Sequence, residues 1–178
     1  MTKSGEVFLP AEVFLEKRTN VENPELYAVF PFGLANFSND LHETGVRTFR
    51  NRNFDSWYGW GQDGQEAAML GLVDETVSIL RKKVKNTNPN HRFLAMWGPN
   101  YDWVPDQDHG SNLLLTLQYM VLQSYGDKAY LLPCWPKDWN VSFKLYTGQK
   151  TQIEGQYKNG RLTFDQQGNM EVVEANKK

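Results

Sequence analysis

The sequence predicts a mixed α+β fold, and three observations carry that expectation. Up to Gly126 the apolar residues recur at helical spacing, most clearly in Gln62–Lys85 and in the run Leu113, Leu114, Leu117, Met120, Val121, Leu122. After Asp127 the spacing changes to alternation, with Val141, Phe143 and Leu145 and then Ile153, Gly155 and Tyr157 separated by polar residues. Asn159-Gly160, the dipeptide of a type I′ hairpin, follows, and Leu162 and Phe164 return on the same period. The expected organisation is a helical part over 1–127 and a small antiparallel β-domain over 128–178.

In chain order, Val7–Pro10 and Val13–Leu15 are apolar runs too short to stand alone. Asn23 is placed as an N-cap with Pro24 and Glu25 in the first turn, so a two-turn helix over Leu26–Phe30 is expected, stopped by Pro31 and Gly33. Ser38 or Asn39 caps the next helix, to about Arg50, with Leu41, Gly45, Thr48 and Phe49 on one stripe. Gly71 and Asp74 divide Gln62–Lys85 into two antiparallel limbs, the second carrying Val77, Leu80 and Val84. Ser111 is the expected cap of the long apolar helix and Gly126 its terminating C′ residue.

Composition narrows the function. A length of 178 residues suits one ordinary domain, and the net charge of −2 with Arg81-Lys82-Lys83 as the one basic cluster argues against nucleic acid as a partner. No apolar run reaches the roughly 20 residues of a membrane span, and no export signal stands in the chain. Cys134 stands alone, so no internal disulfide or thiolate cluster is possible, and it is expected as a packed small side chain. No metal or other cofactor is expected.

The stretch Trp97–Gly110, W-G-P-N-Y-D-W-V-P-D-Q-D-H-G, concentrates the chemistry. Its prolines and glycines impose a shaped loop, in which Trp97, Tyr101 and Trp103 offer flat faces beside Asn100, Asp102, Asp106, Asp108 and His109. Aromatic faces against C–H surfaces, with carboxylates and amides for hydroxyls, suit a sugar ring. The aspartates could hold a metal, act as a base, or form turns. Counted as a calcium loop from Asp106, the twelfth position is Leu117 where a bidentate Glu is required, which speaks against the metal. Asp108, His109 and Ser111 are too close in one loop for a hydrolase relay, and no G-x-S-x-G elbow exists. Hydrolysis of a glycoside needs two carboxyl groups flanking the bond. Asp108 is one candidate. Glu6, Glu12, Glu16, Glu22, Glu25, Glu43 and Glu66 show no marker of a raised pKa, so no second stands out.

Four motifs occur in an order that resembles the C-terminal part of the six-hairpin, (α/α)6-barrel glycosidases, specifically the family 95 α-L-fucosidase group and its gut-bacterial relatives. They are Asn20–Pro31 with its Leu26-Tyr27 and Phe30-Pro31; Gly59-Trp60-Gly61 before an Ala/Leu-rich helix; P-D-Q-D-H-G before the long helix; and Tyr119–Ser124 through Leu131-Leu132-Pro133. The resemblance extends from about Glu6 to Leu162. It implies helical hairpins of a partial toroid followed by a β-domain, an inverting mechanism, and a general base at Asp108, or Asp106 if the loop is gapped. Trp60, Gln62, Asp63, Trp97, Asn100, Asp102, Trp103, His109, Glu22 and Asn23 would then contact an oligosaccharide. Asn20, Glu22 and Glu25 replace the histidine-rich stretch of the family motif, and Gln62 and Asp63 its polar residues after the Gly-Trp turn.

The family's general acid lies far upstream, which makes this chain the tail of a longer, periplasmic or secreted enzyme whose remainder would be its partner. Alone, it should not hydrolyse aryl glycosides. Torn from a toroid, it should also leave Leu26–Phe30, Leu70–Leu80 or Leu113–Leu122 partly uncovered. The alternatives are a non-catalytic carbohydrate-binding or scaffolding protein, and a remnant whose aromatics serve only packing.

Overall fold

The structure, a computed structural model, describes residues 6–14, 17, 22–55, 61–85 and 108–175, with side chains in the last stretch from Gly110 onward. It is mixed α+β. Two compact units divide the chain, one up to Thr116 and one from Leu117 on. Among the described residues, no helix is long and apolar enough to cross a membrane.

In the first unit the expected Leu26–Phe30 helix is a single 3-10 turn, Pro24–Leu26, followed by turns. Pro24 and Pro31 leave too short a window to offset the cost of nucleating a helix. Asn23 holds the expected N-cap position, its carbonyl receiving the Leu26 N–H, but its side chain makes no capping bond. Its amide instead clamps the backbone of Phe54, donating to the carbonyl at 2.9 Å and accepting the N–H at 3.1 Å. Helix α1, His42–Arg50, is approached through nested turns in which the Asn36 side chain receives the Ser38 N–H and that of Asn39 receives the Leu41 N–H. It buries Gly45, Val46, Thr48 and Phe49, while Leu41 is exposed. Gly45 has no side chain for a reason: a Cβ would lie 2.7 Å from Leu70. The segment before α1 is strapped to the following hairpin by Phe37 N–H to Met69 C=O, 3.0 Å, and α1 itself by His42 Nε2 against Leu70 C=O, 2.9 Å.

The hairpin is α2, Asp63–Met69, and α3, Val73–Lys85. Gly71 turns the corner at φ 70°, a conformation that glycine adopts without a Cβ clash. Asp74 is the second residue of α3 rather than its cap, and the carbonyl of Leu72 accepts from both the N–H and the Oγ1 hydroxyl of Thr76. The buried stripe of α3 is Thr76, Ile79, Leu80 and Lys83, while Val84 is exposed, so the stripe is rotated from the expected Val77, Leu80, Val84 line. Of the faces expected to be partly uncovered, Leu26, Val29, Leu70, Leu80, Leu113 and Met120 are buried, whereas Leu114 is exposed and Phe30, Leu115 and Leu117 are half-buried.

Helix α4, Asp108–Val121, begins earlier than expected. Ser111 is therefore inside the helix, not its cap, and Asp108, His109 and Gly110 belong to it rather than to the preceding loop. Asp suits a first helical turn as well as a cap, which is why residue type did not separate the two placements. The helix also ends earlier.

In the second unit β1, Leu122–Tyr125, follows Val121 directly and pairs antiparallel with β2, Lys128–Leu131. Gly126, at φ 60°, is the turn residue of this hairpin, not a helix C′. Strand pairing here overrides a run of residues compatible with helix. Strand β6, Glu171–Glu174, lies parallel to β2, giving the order β1-β2-β6. A second sheet is the meander β3, Val141–Thr147, β4, Thr151–Lys158, and β5, Arg161–Gln167. Its Asn159-Gly160 turn has φ of 50° and 79°, the double positive of type I′. The expected single antiparallel sheet is thus two three-stranded sheets, one holding a parallel pair. Gly155 pairs with Phe143 and Phe164, and a Cβ there would strike the Phe143 ring at 2.8 Å. Ile153, Tyr157, Leu131, Leu132 and Cys134 are buried.

Candidate functional site

All seven residues of α2 are buried, including Asp63, Gln65 and Glu66. A helix of this kind places unusual chemistry in an interior, since carboxyl groups are seldom buried unless paired or neutralised. Asp63 is paired: Arg52 Nε donates to its Oδ2 at 2.7 Å, and the same guanidinium donates to Asp55 at 2.8 Å. Arg52 is held in place by its bond to the Phe49 carbonyl and by lying 4.0 Å over the Phe49 ring. Gln65 reaches the other way, from Nε2 to Asn112 Oδ1, while its Oε1 accepts from Thr116 Oγ1 at 3.3 Å. Gly64 faces Thr116 so closely that no Cβ would fit.

Glu66 is one turn beyond Asp63, on the same helix face, and is 1% exposed. Its Oε2 has no hydrogen-bond partner among the described residues. Burial, and then the negative charges of Asp63 and Glu25 against a smaller opposing effect of Arg52, hold its pKa well above the carboxyl range. Lys83, on α3, points its ammonium toward the Gly61 carbonyl, 3.5 Å away; burial lowers its pKa to about 8, against the attraction of Asp63. Tyr27 donates to Glu22 at 2.9 Å, and burial together with that carboxylate raises the phenol to about 12.

The sequence-predicted residues divide three ways. Asp106, Trp60, Trp97, Asn100, Asp102 and Trp103 lie outside the described residues. Asp108 and His109 are the first two residues of α4, described in backbone alone. Glu22, Asn23, Gln62 and Asp63 are described. Three of these four engage protein partners: Glu22 receives Tyr27, Asn23 clamps Phe54, and Asp63 holds Arg52. Gln62 is half-buried immediately before α2. Among the described residues, no set of three or more His, Cys, Asp or Glu side chains is placed to hold a metal ion.

Sequence reasoning passed over Arg52, Glu66 and Lys83. Glu66 was weighed with the other glutamates and bears no local marker of burial, since a helix face carrying two carboxyl groups is expected to face water. Arg52 and Lys83 had none, because their roles depend on which elements meet. The chain matches no protein-family model and no curated protein.

Proposed function

We propose that this chain is the C-terminal portion of a carbohydrate-active glycoside hydrolase of the six-hairpin, α-L-fucosidase-like kind, in which α2, α3 and α4 belong to an (α/α)6 toroid. In this reading Asp108, or Asp106, is the general base of an inverting reaction, and the Trp97–Gly110 aromatics hold the sugar. One observation supports it above the others. Gln65 bonds to Asn112 and Thr116, and Asn112 is one helical turn, about 6 Å of rise, after Asp108. The residues following the Gly-Trp turn and the start of α4 are thereby fastened together, as a glycosidase site assembled from both motifs requires.

A second reading, glycan binding without hydrolysis, is favoured by a different observation. Glu66 carries a raised pKa, and at 1% exposure it cannot reach a glycosidic oxygen to serve as the acid. Calorimetric titration of fucosylated and galactosylated oligosaccharides against wild type and Asp108→Asn, alongside hydrolysis of the same sugars, separates the two. The hydrolase reading expects binding that weakens in Trp103→Ala and turnover only when an acid-bearing partner segment is added. Binding with no turnover under any such complementation supports the binding module, and no binding to any of these sugars overturns both.

A further inference from the structure

The buried carboxyl of Glu66 is not used by the proposed chemistry, and its surroundings leave an ionised form without support. Its Oε2 is unpartnered among the described residues. The guanidinium of Arg52 is engaged by Asp63 and Asp55. On α2 itself it meets the negative charge of Asp63, and from the 3-10 turn that of Glu25. Tyr27, also near, is tied to Glu22. From α3, the ammonium of Lys83 points to the Gly61 carbonyl and feels the charge of Asp63. From α4, the described side chains bonded to α2 are Asn112 and Thr116, both neutral. Ionising Glu66 in place would put an anion beside Asp63 and Glu25 while Arg52 is shared between Asp63 and Asp55, so loss of the proton favours an opened α2.

We propose that Glu66 is folded in as a neutral carboxylic acid and acts as a pH latch, closed at low pH and released as pH rises, on the packing of α2 against the first half of α4. Release would free Gln65 from Asn112 and Thr116 and so loosen the start of α4, where Asp108 stands. The latch is independent of the glycan reading: it concerns the protonation of the fold, whatever the site binds.

The sign follows from linkage. An unfolded Glu ionises near 4.5, while the folded group keeps its proton to higher pH. Above 4.5 the open state therefore binds fewer protons than the closed one, and stability falls until pH passes the folded value. The opening constant of α2 should rise by up to about tenfold per pH unit across that window. Hydrogen exchange of the α2 amides, corrected for intrinsic rates and compared with Glu66→Gln between pH 4.5 and pH 8, reads this directly. The wild type should carry the extra slope and the Gln variant should lack it; parallel profiles overturn the latch. Should the Gln variant not fold, the assigned side-chain carboxyl resonance of Glu66 in the wild-type chain decides. Titration in the ordinary Glu range overturns the proposal, and titration well above it supports it. Asp63→Asn adds a readout that mere space-filling would not move: by removing a like charge and freeing Arg52 it should shift the Glu66 titration downward.

Discussion

The helix α2 and the strand β5 are both seven residues long, and they are built on opposite principles. All of α2 is buried, with three ionisable or amide side chains inside; along β5 only Leu162 is even half-buried. The first region is held by side chains that satisfy one another across long sequence separations, Arg52 with Asp63 and Gln65 with Asn112. The second is held by a backbone ladder to its immediate neighbour β4. Buried polar networks have large consequences when one member is lost, whereas an exposed ladder tolerates most side chains. The difference teaches where a pH dependence is to be sought: the region that breaks the usual rule of burial holds Glu66, whose proton is held by burial and neighbouring negative charge.

The comparison breaks most sharply at Arg52. Arg52→Ala leaves Asp63 as a buried charge without its partner, and a loss of about 3–5 kcal/mol is expected for the first unit by urea titration followed through α2 exchange. An unchanged midpoint would mean that the network contributes no more than a surface pair. Next comes Lys83. Its folded pKa of about 8 lies below the unfolded 10.5, so the folded state binds fewer protons between those values and stability rises with pH across them. That rise should be about 3 kcal/mol in the wild type and absent in Lys83→Met, measured as the pH dependence of unfolding. In the second unit Asn159→Ala should cost roughly 1–2 kcal/mol, because alanine resists the positive φ of the turn, with no change in pH profile. The smallest effect is expected from Ile153→Val, a loss of about 1 kcal/mol at every pH, read from exchange of β4.

The same contrast decides what the chain disclosed before it was folded. The meander was legible because Asn159-Gly160 and the alternation around Ile153 and Tyr157 are local instructions, each carried by neighbours in sequence. Gly71 divided α2 from α3 for the same reason. The N-terminal part was read less well. Asn23 has the residue type of a cap, and it became a clamp on Phe54 because the partner arrives from a distant stretch of the chain. Lys83 has the composition of a solvated helix face, yet its stem is covered by packing that no local period encodes. Of the candidate site, Asp63 was named from sequence, whereas Glu66 was given no marker, because nothing local to α2 discloses that its whole length is buried.

The parallel pairing of β2 with β6 has a consequence for the order in which the second unit forms. The whole meander β3-β4-β5 lies in sequence between these two strands, so the first sheet cannot receive its last member until the intervening chain has doubled back. A hairpin such as β4-β5 closes a loop of a few residues, and each doubling of that length adds about 0.6 kcal/mol of closure entropy. Formation of the meander first shortens the effective span that β6 must bridge, which turns the second sheet into a spacer for the first. A chain released residue by residue would therefore hold β2 with an unpaired edge until Glu171–Glu174 emerged, and the closing contact from the Glu171 N–H to the Asp127 carbonyl, 3.0 Å, would mark completion.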